Sequence, residues 1–190
     1  CDACGTVLEP ENLLEPVCAT CGSPVTFRST KHLTIALTRL EPVLRRFLEE
    51  RSHWPQNAKA FTRRYLDEGL RDRALTRDLS WGIDVPKEGY EEKRIYIWAE
   101  NVRGCLAMSK AVLEERGESL ADFQGENSRH YYVHGKDNIP FHTIILPALL
   151  HCEGSGWRLP DHIVSSEHLT LEGRKISTSQ NWAVWVRDLL

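Results

Sequence analysis

A short polar segment late in the chain combines a cation with hydroxyl groups directly after a glycine. The chemically capable residues, all within six positions of Gly173, are Lys175, Ser177, Thr178 and Ser179. Lysine supplies a point charge, the hydroxyls supply hydrogen bonds, and glycine gives the backbone the freedom that a phosphate-binding loop needs. The same residues are also typical of a polar turn that caps a helix, here one that begins at Asn181. The segment therefore indicates a polyphosphate-binding loop, with a helix cap as the alternative.

Two cysteine pairs with the spacing Cys-x-x-Cys stand near the start of the chain. They are Cys1 with Cys4 and Cys18 with Cys21. A tight turn directs the two thiolates of each pair toward one ion, and two pairs complete a tetrahedral structural zinc site. Gly5 and Gly22 follow directly, where such a turn benefits from a positive φ. Disulfides are the alternative, but the sequence shows no secretion signal, and Cys105 and Cys152 would remain as thiols.

Composition narrows the possible partners. The chain has 190 residues, of which 41% are hydrophobic, enough for one or two domains with a core. Its net charge of −3 excludes an overall basic field that attracts nucleic acid, and residues 71–77 are interpreted as a solvated helix face. No stretch is long and apolar enough to cross a bilayer, and no signal peptide is visible. We therefore expect a cytoplasmic protein without a membrane partner.

The hydrophobic periodicity predicts alternating strands and helices. Strands are expected at residues 33–37, 94–98, 131–134 and 163–165, and helices at 39–51, from about Asn57, at 101–116 and at 138–151. The order from 94 to 165 is typical of βαβ units with a parallel sheet. Ligands of such sheets bind beyond the carboxyl ends of the strands, so Trp98, residues 135–137 and residues 165–168 should meet at one crevice.

Three of these residues have competing interpretations. Asp137 could hold the α-amino group of an amino acid through a charge-assisted hydrogen bond, or it could cap the helix at 138–151. His142 could face the crevice or simply pack, and Trp98 could form a pocket wall or part of the core.

Four segments, in this order, resemble methionyl-tRNA synthetase, a class I aminoacyl-tRNA synthetase. They are the cysteine pairs, residues 76–86 (similar to TRD…WGIPVP), residues 134–142 (similar to GKD…FH) and residues 171–179 (similar to the KMSKS loop). The resemblance implies an α/β fold, the second half of a Rossmann-type parallel-sheet nucleotide-binding fold with an inserted zinc knuckle and connective subdomain. It also implies a zinc knuckle at 1–28, a helical connective region at 29–88 and the catalytic half at 89–190.

The resemblance further implies ATP-dependent adenylation of methionine or a related amino acid, followed by transfer to tRNA, with structural Zn²⁺ and with ATP and Mg²⁺. The implied catalytic residues are Lys175, Ser177, Thr178 and Ser179. The implied ATP-binding residues are Gly135, Asp137, Ser166, His168, Leu169 and Lys175. The implied amino-acid pocket consists of Trp98, Asn101, Cys105, Asp137 and His142. The implied zinc ligands are Cys1, Cys4, Cys18 and Cys21.

Several positions depart from the pattern of the family. Thr178 replaces the second lysine of the loop, Cys105 replaces an aromatic pocket residue, and Arg103 adds a charge. The His-Ile-Gly-His signature is missing, so a first catalytic half is expected upstream, in the same or another chain, and these 190 residues alone should be inactive. Further upstream cysteines could divide the two pairs between two metals. A short paralog that activates another amino acid outside translation, or an inactive zinc-stabilised module that binds tRNA or protein, remains the alternative.

Overall fold

The structure, a computed structural model, describes residues 13–18, 21–154, 156–178 and 180–190. Besides the α-helices, the chain forms 3-10 turns at Lys136–Asn138 and Val186–Asp188 and a π-helical turn at Phe141–Ile145. The strands and α-helices, in chain order, are β1 (Thr34–Ile35), α1 (Leu37–Glu49), α2 (Gln56–Asp67), β2 (Arg73–Ala74), β3 (Thr76–Arg77), β4 (Arg94–Ile95), α3 (Ile97–Arg116), α4 (Leu120–Gln124), β5 (Tyr131–Gly135), α5 (Leu146–Glu153), β6 (His162–Ser166), β7 (Thr170–Leu171) and β8 (Arg174–Lys175).

A parallel β5–α5–β6 unit is the centre of the fold. The strands pair in register from Tyr131 opposite His162 to Gly135 opposite Ser166. Tyr132 and Ile163 point into the core, whereas Val133 on the opposite face is 75% exposed. This alternation follows from the two-residue repeat of a strand. The parallel strands predicted at 131–134 and 163–165 are therefore confirmed.

Four helices cover the inner face of this pair. α1 begins and ends two residues before its predicted bounds, and α2 begins one residue before Asn57. Their apolar faces and that of α3 pack with α5 around one cluster. The fully buried large side chains of that cluster include Leu37, Leu44, Leu66, Ile139, Ile144, Leu146 and Ile163. Burial of this apolar surface stabilises the arrangement that positions the strand ends.

A buried hydroxyl pair joins α2 to the helical segment after β5. Thr62 Oγ1 donates to Thr143 Oγ1 at 2.9 Å and also lies 2.7 Å from Ala58 O, and Thr143 Oγ1 donates in turn to Ile139 O at 2.9 Å. Both side chains are almost fully buried. Buried polar groups must be hydrogen-bonded to avoid a desolvation penalty, and this pair meets that need internally.

The start of the parallel pair is fixed by a partly buried carboxylate. Asp161 accepts from His130 N–H at 2.8 Å and binds both Arg158 Nε (2.7 Å) and Arg158 Nη2 (2.9 Å). Burial by itself raises the pKa of Asp161, but the hydrogen bonds from Arg158 and His130 outweigh it and lower the pKa to about 2. Asp161 therefore stays ionised and ties the beginning of β6 to that of β5.

The strand predicted at 94–98 is wrong in length and in partner. Only Arg94–Ile95 is extended, and it pairs antiparallel with β3, not with the parallel sheet. Tyr96 N–H donates to Leu75 O, and α3 begins at Ile97 directly afterwards. The βαβ repeat predicted from 94 to 165 therefore shrinks to one unit, and Trp98 lies in the first turn of a helix, not at a strand end. Likewise, only Thr34–Ile35 of the strand predicted at 33–37 is extended, and it pairs with β2.

The helix predicted at 138–151 is interrupted. Residues Phe141–Ile145 form a π-helical turn, and α5 follows as Leu146–Glu153. Pro147 has no N–H to donate to the carbonyl of Thr143, and its ring would clash there in a regular α-helix. The wider π turn relieves this conflict. In the described part of the chain, no helix is both long and apolar enough to cross a membrane.

Candidate functional site

The carboxyl ends of β5 and β6 place four polar side chains next to each other. Because Gly135 and Ser166 are partners in register, the residues that follow them also come in pairs. Lys136 Nζ lies 2.7 Å from Glu167 Oε2. One residue further, Asp137 Oδ1 lies 3.3 Å from His168 Nε2. An ion pair and a neighbouring contact between a carboxylate and an imidazole therefore mark this edge of the sheet, where ligands of parallel sheets bind.

The polar loop reaches the same edge through a tight hairpin. β7 and β8 pair antiparallel, with Thr170 opposite Lys175, and Gly173 adopts a φ of +78° in the turn. Lys175 Nζ lies 3.1 Å from Asp137 Oδ2. Asp137 therefore contacts a loop cation through one oxygen and His168 through the other.

The residues after Lys175 form a second closed turn. Ser177 N–H donates to Trp182 O at 2.8 Å, and Trp182 N–H donates back to Ser177 O at 2.9 Å. Asn181 has a φ of +50°, and within the described residues 180–190 no helix begins there. The alternative interpretation, that these residues cap a helix beginning at Asn181, is therefore wrong. Thr178 is exposed, and Ser179 lies outside the described residues.

These segments border a cleft with a volume of about 1330 Å³. Trp98 lines it and stacks on Phe141, with ring centroids 4.6 Å apart and an angle of 18° between the planes. The cleft brings together five of the predicted site residues, namely Trp98, Asp137, His168, Lys175 and Ser177. It combines an aromatic wall with a polar edge, an arrangement that suits an organic ligand carrying charged groups.

Besides Thr178, six described residues of the predicted ATP site and amino-acid pocket do not line the cleft. Gly135 and Ser166 form the strand ends beneath it, and Leu169 is 76% exposed beside it. Asn101 and Cys105 lie on the exposed side of α3. His142 is half-buried. The roles given to these residues stay predictions.

His142 belongs to a cluster of rings beside the cleft. Its ring stacks on that of His134 at 4.6 Å, and it lies 5.4 Å from the ring of Tyr132. Burial lowers the pKa of both histidines, which therefore stay neutral at ordinary pH. Burial, and then electrostatic interaction with Cys105 and Asp161, raise the pKa of Tyr132 to about 12. Tyr132 and His134 were missed by the sequence reasoning, although their two-residue spacing on a predicted strand indicates a shared face.

The placement of Lys136 and Glu167 at the crevice, predicted because they directly follow the ends of predicted strands, is confirmed, since both line the cleft. Arg77 was missed. The interpretation of residues 71–77 as a solvated helix face is wrong, because β2 and β3 occupy this stretch. Arg77 lines the cleft, donates to Ala74 O and Thr76 O, and lies 3.9 Å from the ring centre of Tyr96. Its local sequence gave no indication of this contact.

Half of the predicted zinc knuckle can be compared with the structure. Cys18 N–H donates to Ser23 O, and Gly22 N–H donates back to Cys18 O, with Gly22 at a φ of +70°. This closed turn leaves Cys21 exposed and Cys18 partly exposed, and a hydrogen bond with Ser23 lowers the pKa of the Cys21 thiol. Both features suit metal-binding thiolates. Cys1 and Cys4 lie outside the described residues, and within the described ranges no group of three or more possible ligands is found.

Comparisons with known proteins agree on one family. The model of the family tRNA synthetases class I (M) matches residues 1–190. The chain is 47% identical to methionine–tRNA ligase 1 of Alkaliphilus oremlandii and 48% identical to a methionine–tRNA ligase of Bacillus cereus strain 03BB102. Each match covers 100% of this chain but 35% of the ligase, so the chain spans about a third of the length of these relatives.

The fold is also found among solved structures. Mycobacterium tuberculosis methionyl-tRNA synthetase bound by methionyl-adenylate superimposes with a TM-score of 0.64 at 20% identity, over 87% of this chain and 32% of that chain. The free form of the same synthetase gives a TM-score of 0.60 at 20% identity, over 80% of this chain and 30% of that chain. At this identity the likeness concerns the fold alone. Because the family model spans every residue of the sequence, the chain belongs to the class I tRNA synthetases.

Proposed function

We propose that this chain forms the second catalytic half and the connective region of a methionine–tRNA ligase. In the proposed reaction, the carboxylate of methionine attacks the α-phosphate of ATP, pyrophosphate leaves, and the methionyl group then passes to tRNA. The identity to curated methionine–tRNA ligases over the full chain supports this proposal. The first catalytic half would come from the same or another chain, and the cytoplasmic location stays a prediction.

The contact that carries the proposal is the shared position of Asp137. Its carboxylate lies 3.1 Å from Lys175 and 3.3 Å from His168, in a cleft that Trp98 also lines. The carboxylate of Asp137 suits the ammonium group of an amino acid, and the neighbouring Lys175 suits phosphate. One cleft can therefore hold both reactants close enough for in-line attack.

Lys175 has to change partners during this reaction. Its side chain is 44% exposed and that of Asp137 is 58% exposed, so their ion pair contributes little, about 0–1 kcal/mol. An incoming triphosphate can therefore take Lys175 from Asp137 at low cost. The exchange would release the carboxylate for the amino group of methionine, while Ser177 and Ser179 would add hydrogen bonds to the phosphates. Mg²⁺ would neutralise further phosphate charge.

Structural zinc is part of the proposal. The closed turn at Cys18 and Cys21 suits one half of a four-thiolate site, and Cys1 and Cys4 would supply the other half. Such a site has no open coordination position, so zinc would stabilise the connective region and take no part in the reaction.

Amino-acid-dependent exchange of pyrophosphate into ATP tests the proposal. The complete gene product is assayed with a panel of amino acids in the absence of tRNA. We expect exchange with methionine and little with the others. Preference for another amino acid would favour the divergent paralog, and exchange with none would favour the inactive binding module. Charging of tRNA with labelled methionine then tests the second step.

A further inference from the structure

The acidic residue at the end of β6 belongs to a series of contacts that the proposed adenylation does not use. Glu167 Oε2 lies 2.7 Å from Lys136 Nζ, and Glu167 Oε1 accepts from Asn57 Nδ2 at 3.2 Å. Each carboxylate oxygen has its own donor, so the direction of the Glu167 side chain is fixed from two sides. The hydrogen bond from Lys136, and then that from Asn57, lower the pKa of Glu167, which therefore stays ionised at neutral pH.

Asn57 is itself fixed by its neighbours. It lies in the first turn of α2, where Nδ2 also donates to Ser165 O at 3.0 Å. Its Oδ1 accepts from Ser165 Oγ at 3.0 Å and from Ala58 N–H at 2.8 Å. The whole amide is needed, because an ionised carboxylate of the same size has no donor for Ser165 O or for Glu167. Asn57 therefore connects α2 to the end of β6 and holds Glu167 in a defined place.

The position of Lys136 decides what Asp137 can bind. The two residues are neighbours in the turn Lys136–Asn138, and Lys136 carries an ammonium group, as an amino acid does. Its stem is flexible, and its side chain is 34% exposed, so it can take a new partner if Glu167 is lost. In the structure, Glu167 pairs with Lys136, and Asp137 contacts Lys175 and His168. A second lysine on Asp137 would compete with an amino acid for the same carboxylate.

We propose that Glu167 is a positioning residue that keeps Lys136 away from Asp137, so that this carboxylate is free for the ammonium group of methionine. Asn57 supports this role because it holds Glu167. The inference rests on the proposed function, in which Asp137 binds methionine. Glu167 sets the charge beside the amino-acid site, so its loss affects the binding of methionine and leaves ATP binding and the chemical step unchanged.

The test is pyrophosphate exchange by the complete gene product, with methionine and ATP varied in turn. Glu167→Gln keeps the size of the side chain and an acceptor for Asn57 but removes the charge that holds Lys136. We expect the KM for methionine to rise about 2- to 6-fold, the effect of competition by one exposed ion pair. The KM for ATP and kcat should stay at the wild-type values. Glu114→Gln breaks an exposed pair with Lys110 (3.7 Å) outside the cleft and, as the matched control, should leave all three constants unchanged.

A rescue variant separates positioning from a structural effect. Glu167→Gln combined with Lys136→Met removes both members of the pair, so no cation is released and the KM for methionine should return to the wild-type value. Asn57→Ala should raise the KM for methionine as Glu167→Gln does. Combining Asn57→Ala with Glu167→Gln should add nothing, because Lys136 is already released in either single variant.

Three results would overturn the inference. One is an unchanged KM for methionine in Glu167→Gln. Another is a double variant with Lys136→Met that is no better than Glu167→Gln alone, because the loss would then be structural. The third is a higher KM for ATP in the single variant Lys136→Met, because Lys136 would then bind phosphate. If the wild-type protein shows no methionine-dependent exchange, the proposed function itself fails, whereas an active wild type with any of these three results refutes only the positioning role.

Discussion

Replacing Asp137 by asparagine should separate catalysis from stability. The substitution keeps the size of the side chain but removes the charge that faces Lys175 and His168 at 3.1 and 3.3 Å. Because Asp137 is 58% exposed, the loss of these pairs should lower the free energy of unfolding by less than about 1 kcal/mol. Hydrogen bonds to charged groups contribute about 1.5–3 kcal/mol, so losing the contact with the ammonium group of methionine should lower kcat/KM for exchange about 10- to 150-fold.

Two measurements on the complete gene product check this expectation. Urea unfolding gives the change in stability, and methionine-dependent pyrophosphate exchange gives the change in kcat/KM. Asp84→Asn is a matched control, because Asp84 is an exposed carboxylate paired with Arg94 at 3.3 Å outside the cleft. Wild-type exchange in Asp137→Asn would refute the assigned role. A loss of several kcal/mol in stability would refute the argument from exposure.

Four further outcomes are expected. Thr178→Lys restores the second loop cation of the family and should raise the exchange rate by about 10-fold or more, since comparable groups are worth 10²–10³ in rate; no increase would show that the threonine loop does not limit activation. Thr62→Val and Thr143→Val should each cost about 1 kcal/mol in urea unfolding, and the double variant should cost less than their sum because no partner is left unpaired; strict additivity would contradict the coupling. The pKa of Asp161 is lowered from 3.8 to about 2, so the stability it provides is complete above about pH 4 and is lost as the pH falls toward 2. Allowing for solvent screening, this loss is on the order of 1–2 kcal/mol, and an Asp161→Asn variant whose stability falls as steeply as that of the wild type would contradict it. Cys18→Ser should lower both the zinc content by elemental analysis and the Tm; unchanged zinc content would exclude Cys18 as a ligand.

The amino-acid sequence by itself determined the local features of the site. Strand propensity and two-residue alternation marked β5 and β6, and the connecting helix implied that they are parallel. Because parallel strands end at the same edge, the positions of Asp137 and His168 beside each other followed. The turn at Gly173 before Lys175 could also be predicted locally, because glycine adopts a positive φ more readily than other residues.

Only the tertiary structure decided which segments meet. The sequence around Arg94 favours a strand, but it does not indicate whether that strand joins the parallel pair or pairs with β3. Its observed partner, Arg77, is not a neighbour in the sequence, and local propensity carries no information on such a pairing. The same limit applies to His142, because the direction in which its side chain points depends on the π turn before Pro147. It also applies to the arginines of the cleft, such as Arg77, which contacts a ring from another segment of the chain. Propensity and periodicity are properties of neighbouring residues, whereas pairing and burial are set by the packing of the whole core.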